Sequence, residues 1–145
     1  MSPKFSDEEI AWLDEKVSSR GEASEELRSH LREWHPFDPK RLEQCRRLGI
    51  PVFVDFTASW CLLCQTNQLL IDGELVSRRM EELGMVKMKA DWTKRDAKIA
   101  EWLRRLGRSG VPLYLLFTGE GDPQILPQLL TTDLLLEALE GVAKP

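Results

Sequence analysis

Two cysteines, Cys61 and Cys64 in Trp60-Cys61-Leu62-Leu63-Cys64, sit where a short apolar run gives way to a helical pattern. The run is Val52-Phe53-Val54-Asp55-Phe56, and its length and its valine and phenylalanine content suit a strand buried on both faces. Residues 61–71 then read as a helix. A buried strand that feeds a helix calls for an α/β arrangement, because both faces of the strand must be covered. The same junction puts Cys61 at the helix N-terminus, facing unpaired N–H groups and the positive end of the helix dipole. Both favour the thiolate, the form that attacks disulfides. Cys64 lies one turn further in and should be less exposed, placed to attack a mixed disulfide on Cys61 and release whatever is bound there. The pair reads as a redox-active dithiol.

Other uses of a Cys-x-x-Cys pair fit less well. Structural zinc needs four ligands, and the remaining candidates, Cys45, His30 and His35, all lie upstream without ligand spacing. Haem attachment needs a histidine after the second cysteine, where this chain has Gln65. Three cysteines are too few for a disulfide scaffold, which leaves a single structural disulfide, or two inert thiols, as the bland alternative.

Beyond the helix, 86–90 alternates with period two and reads as a second strand, and 96–106 as a helix with Ile99, Leu103 and Leu106 inward. Leu113-Tyr-Leu-Leu-Phe117 reads as a third strand, Gly119 to Asp122 as a turn, and Gln124-Ile-Leu126, bracketed by Pro123 and Pro127, as a short edge strand. A helix over 134–142 closes the pattern. Upstream, residues 1–50 carry nine Lys/Arg and eleven Asp/Glu and are helical in pattern. Ser6 and Glu9 make a capping box before Ile10, Leu13 and Val17, and Leu27, Leu31 and Trp34 form a second, thinner stripe. His35-Pro36-Phe37-Asp38-Pro39 breaks that pattern. Asp38 then caps a further helix carrying Leu42, Cys45 and Leu48, with Cys45 expected to be a buried thiol. The expected organisation is a helical extension or linker over 1–37 and an α/β domain over 38–145.

The formal net charge of −4 argues against nucleic acid or an anionic membrane as the main partner. No apolar run approaches the ~20 residues that span a bilayer. The opening residues lack the basic-then-apolar order of a signal peptide, so the chain as written is expected to be soluble and without an export address, and it is also compatible with being one domain of a longer protein.

Two further residues bear on the dithiol. Asp55 lies inside the apolar strand, six positions before Cys61, where desolvation should raise its pKa and let it relay protons to or from Cys64. The competing role is a plain hydrogen bond to a helix end. Gly110-Val111-Pro112 precedes the third strand, and the residues alone suggest an ordinary trans turn whose backbone groups face a peptide.

In order and spacing, Val54-Asp55-Phe56, Trp60-Cys61, Cys64 and Gly110-Val111-Pro112 resemble the thioredoxin superfamily over about residues 50–145. Pro51-Val-Phe-Val-Asp-Phe-Thr-Ala-Ser-Trp-Cys61, Lys89-Ala-Asp-Trp-Thr93 and Arg108-Ser-Gly-Val-Pro-Leu-Tyr114 are similar to the C-terminal thioredoxin-like domain of DsbD-type transmembrane thiol:disulfide interchange proteins, and Trp34-His-Pro-Phe37 resembles its lead-in. The resemblance implies a thioredoxin-like α/β fold, with a central mixed sheet flanked by helices. It implies a thiol-disulfide oxidoreductase, Cys61 the exchanging thiol, Cys64 the resolving thiol, Asp55 the buried acid and Pro112 a cis-proline facing the partner, with Trp60, Leu62, Leu63 and Val111 around the partner site. It further implies a monomeric periplasmic domain of an inner-membrane protein, with a membrane-embedded dithiol domain as electron donor, a periplasmic thiol-disulfide protein as acceptor, and a link to cytochrome c biogenesis. No cofactor or metal is expected. Leu62-Leu63 departs from the usual Gly-Pro, and Gln68 stands where some DsbD domains carry a second acid, which weakens a two-carboxylate account of pKa control. The alternatives are a general thioredoxin-like protein disulfide reductase and a peptide-binding module with a structural disulfide.

Overall fold

The computed structural model describes residues 33–119 and 121–143. The two helices expected before residue 32 lie outside the described residues. Strands β1 (Trp34–Pro36), β2 (Val52–Thr57), β3 (Val86–Asp91), β4 (Leu113–Phe117) and β5 (Gln124–Leu126) form one sheet in the order β1-β3-β2-β4-β5. β1 and β2 run parallel to β3, and β2–β4 and β4–β5 are antiparallel, so the sheet is mixed with β2 at its centre. Helices α1 (Pro39–Arg47), α2 (Leu62–Ile71), α3 (Glu74–Glu82), α4 (Ala97–Arg105) and α5 (Thr132–Ala143) flank it. None of the described helices is long and apolar enough to cross a membrane.

Local chemistry explains most element ends. Asp38 Oδ1 accepts from the Lys40 N–H at 2.9 Å and Pro39 opens α1, whose last turn carries Arg46 and Arg47. Gly49, at φ 72°, turns the chain out of that helix and into Ile50, whose N–H bonds Cys45 O. Asp96 caps α4 by accepting from the Lys98 and Ile99 N–H groups.

Two elements differ from the sequence reading. Trp34, expected in a helical stripe, is extended, and Trp34, His35 and Pro36 pair with Lys87, Met88 and Lys89. The prolines at 36 and 39 keep this stretch out of the helical region and β3 offers an open parallel edge. The sheet therefore begins at Trp34, inside the stretch expected as an extension. α3 is an addition: Val76 and Met80, four apart, bury one side of it, a stripe too short to stand out by itself. A Cβ at Gly73, its N-cap, would lie 3.1 Å from Leu70 O, so glycine fits the tight passage from α2.

All six residues of β2 are buried. Val52, Val54 and Phe56 face one core with Val86, Met88, Leu113 and Leu115, covered by Leu42 and Cys45 of α1 and Leu103 of α4. Phe53 faces the other, with Tyr114 and Leu116, under Ile71 of α2, Val76 and Met80 of α3 and Leu135 and Leu139 of α5. Asp55 shares that second face by strand alternation. The lysines of β3 also point to it. Lys87 is buried rather than solvated, with its Nζ 5.1 Å from the centroid of the Trp34 ring, and the Lys89 Nζ lies 4.7 Å from the same ring.

Candidate active site

The site starts at the C-terminal end of β2, where the chain leaves the sheet. Its path is fixed by the neighbouring 91–95 segment. Trp92 N–H bonds Thr57 O at 2.7 Å, Ser59 N–H bonds Thr93 Oγ1 at 2.9 Å, and the Trp60 indole Nε1–H bonds Thr93 O at 3.1 Å. Thr93 is itself held, since both its N–H and its hydroxyl bond Asp91 Oδ1. Those bonds keep the Asp91 carboxyl below its ordinary range. The Ala58 carbonyl accepts from the Cys61 N–H and from the Gln65 side chain, both at 3.1 Å.

Cys61 emerges as the N-cap of α2, extended at φ −94° and ψ 106°, and its Sγ accepts from the Cys64 N–H at 3.2 Å. A sulfur in that place stands in for the oxygen of an ordinary cap, and the helix end stabilises negative charge on it. Cys61 and Cys64 are joined as a disulfide with Cα atoms 5.2 Å apart. Cys61 is 9% exposed and Cys64 2%, so Cys61 is the less deeply buried of the two. Both pack with Ala58, Leu63 and Val111. The Val111–Pro112 bond is cis, as the resemblance implies and unlike the trans turn that the residues alone suggest. Pro112 is buried and its carbonyl accepts a long bond, 3.5 Å, from Gln128. Trp60 is half-exposed beside the pair, and Leu62 is 83% exposed, projecting from the helix start rather than packing on the sulfurs.

Asp55 lies on the sheet face that α2 covers, 1% exposed, and its Oδ1 accepts no hydrogen bond. Burial pushes its pKa up from 3.8 to about 7, Lys89 draws it back and Asp72 adds to the rise. Lys89 and Tyr114 are its cross-strand partners on either side. Gln68, at the position of a second acid in some DsbD domains, donates to Asp72 Oδ2 at 2.9 Å, and the Trp34 indole donates to Asp72 Oδ1 at 3.1 Å. The second carboxylate that acts on Asp55 is thus one turn further along the chain than the sequence pattern suggested.

Sequence reasoning did not single out Asn67, Tyr114, Lys89 or Thr93 as parts of this site. The fully buried Asn67 donates to the Tyr114 hydroxyl at 2.9 Å and to Gln128 O at 2.7 Å, and its Oδ1 accepts from Leu130 N–H. Burial, and then the charge of Asp55, push the Tyr114 phenol up. A polar residue on the inner face of a helix was the available signal for Asn67, because α2 buries it between Cys64 and Ile71.

The model of the thioredoxin-like family matches residues 33–119, more than half of the chain. The chain belongs to the thioredoxin-like family. No curated protein matches it. Among solved structures, a thioredoxin from Thermus thermophilus is similar at TM-score 0.62 and 23% identity, covering 77% of this chain and 87% of that one. The reduced DsbD C-terminal domain of Neisseria meningitidis is similar at TM-score 0.57 and 19% identity, covering 80% and 93%. Thioredoxin f from spinach chloroplast is similar at TM-score 0.60 and 17% identity, covering 83% and 95%. At these identities the likeness is one of fold. A thioredoxin-like fold that holds a disulfide-forming Cys-x-x-Cys pair at the head of a helix supports thiol-disulfide oxidoreductase activity.

Proposed function

We propose that this thioredoxin-like protein is a reductive relay in a DsbD-type electron path. On this reading it takes electrons from a membrane-embedded dithiol and delivers them to a thiol-disulfide protein in the periplasm. The observation that carries the exchange chemistry is Cys61 at the N-cap of α2, a less buried residue than Cys64, with its sulfur bonded by the Cys64 N–H. The direction and the path are supported by the DsbD-like motifs around Asp55, Lys89 and Pro112 and by the similarity of fold to a DsbD C-terminal domain.

In the reduced protein, Cys61 thiolate attacks one sulfur of the partner disulfide. The new Cys61–partner bond forms as the partner's own S–S bond breaks, and its second sulfur leaves as a thiolate that takes up a proton. Cys64 then loses its proton and attacks Cys61, which forms the Cys61–Cys64 bond and releases the partner's remaining sulfur. Two electrons pass to the partner, whose two released thiolates are protonated by solvent and by the proton that Cys64 gives up, and a reduced dithiol donor restores the pair. Asp55, with a pKa of about 7, is suited to accept the Cys64 proton at neutral pH. Trp60, Leu62, Leu63, Val111 and Pro112 frame the face on which the partner docks.

Cys64→Ser should accumulate a mixed disulfide between Cys61 and the partner, seen as a reducible shift on a gel and identified by mass spectrometry. Cys61→Ser should exchange nothing. If Cys64→Ser traps no protein and the pair's potential lies well below about −300 mV, the bond is structural and the relay reading is wrong. The fold is also similar to a thioredoxin, which favours a general protein disulfide reductase as the second reading. Reduction of this protein by thioredoxin reductase, and not by a reconstituted membrane dithiol domain, would select it.

A further inference from the structure

Arg95 has a backbone φ of 55° and, among the described residues, no other non-glycine residue has a positive φ. That region is disfavoured for a side chain as large as arginine, and such outliers gather where a side chain has to be aimed. The turn is closed by Arg95 N–H on Trp92 O at 2.9 Å. It delivers the guanidinium onto two indoles at once, 4.8 Å from the Trp60 ring and 5.0 Å from the Trp92 ring. Trp60 is the residue before Cys61, so this cation sits at the rim of the dithiol.

Its charge is also unspent. Among the described residues, every arginine except Arg95 and Arg108 lies within ion-pair distance of a carboxylate. Arg95 is exposed, and so is Lys94 beside it. Arg108 stands on the segment that leads into Val111 and Pro112. The two nearby acids are already engaged, Asp91 by Thr93 and Asp96 by the α4 N–H groups. Among the described residues of a chain of net charge −4, the arginines without a carboxylate in ion-pair range thus lie on the two segments that border the reactive sulfur.

We propose that Arg95, stacked over Trp60, forms a docking surface for a protein partner that carries acidic side chains beside its reactive cysteine. The inference rests on the exchange reading above and adds the chemistry of the partner. Stacking on the indoles holds the planar guanidinium in place, so little freedom is lost when a carboxylate binds it. A charge at the rim of an interface acts on encounter and on choice between partners more than on final affinity.

The test uses the reduced full chain and two synthetic disulfide-bonded peptides, identical except for glutamate or lysine beside each cysteine. The glutamate peptide should be reduced about fivefold faster at low salt, and the two rates should converge near 0.5 M salt. Arg95→Asn and Arg95→Gly both suit the left-handed backbone, and in both the preference should collapse. Equal rates for the two peptides in the wild-type protein, or a preference that survives both substitutions, would overturn the proposal. The uncharged bis(2-hydroxyethyl) disulfide separates the two levels. If it and both peptides are reduced without discrimination, the docking surface is wrong and the exchange reading stands. If none is reduced, the exchange reading fails and the docking surface falls with it.

Discussion

The two faces of the central sheet are equally buried and chemically different. Val52, Val54 and Phe56 of β2 meet an apolar core under α1 and α4. On the other face, Phe53 and Asp55 alternate along the same strand, and Tyr114, Lys87 and Asn67 bring further polar atoms into the interior. Polar groups buried without full pairing cost stability. Here they gather on the face covered by α2, the helix that carries the cysteines. The first face is apolar throughout, and the second holds buried polar groups, among them Asp55, whose pKa burial raises to about 7.

The largest expected effect comes from the apolar face. Phe56 is fully buried, and Phe56→Ala should lower stability by about 3–5 kcal/mol in urea unfolding. It should leave the titration of Asp55, followed by carboxyl NMR, unmoved. A shift of that titration would mean that the two faces are coupled and the comparison too simple.

Asp55→Asn tests the other face and has the opposite sign. The folded pKa is raised, so the folded state holds a proton that the unfolded state has lost between about pH 4 and pH 7. The stability that Asp55 contributes is complete below about pH 4 and is lost as pH rises through 7. A rise from 3.8 to about 7 corresponds to roughly 4 kcal/mol of penalty at pH 8. Asparagine carries no charge, so the variant should match the parent near pH 4 and exceed it in stability at pH 8. Its exchange rate should fall and lose its dependence on pH around 7. An unchanged rate profile would remove Asp55 from proton transfer.

The smallest effects sharpen the picture of the polar face. Asn67→Ala strips partners from Tyr114, Gln128 and Leu130 together and should cost about 2–3 kcal/mol. Tyr114→Phe removes one hydroxyl, keeps the ring stacked on Phe53 at 6.1 Å, and should cost about 1 kcal/mol. If both variants cost the same, the Asn67 network is held through Tyr114 rather than through the 128–130 loop.

Much of this was legible in the chain. Strand, dithiol and helix are adjacent in sequence, so local spacing sufficed to place Cys61 at a helix start. Asp38 and Pro39 announced α1 by capping chemistry that acts over a few residues, and the spacing of Ile99, Leu103 and Leu106 announced α4. β1 was hidden because Trp34-His-Pro is too short for a period of two to register, and it becomes a strand through the β3 edge. The period-two alternation of β3 announced a strand but not its neighbours, and Lys87 is buried with Trp34 over it.

The sequence by itself determined that a buried strand ends at a Cys-x-x-Cys pair on a helix, with an acid inside the strand. It could not say which face that acid joins, because β2 is buried on both sides and alternation then carries no sign. Strand pairing decided it by setting Lys89 and Tyr114 beside Asp55, from segments 34 and 59 residues away in the chain. Pairing of that range depends on the closure of the whole sheet. The surroundings of Asp55 are for that reason properties of the tertiary structure, and the Cys-x-x-Cys pair at a helix start is a property of the sequence.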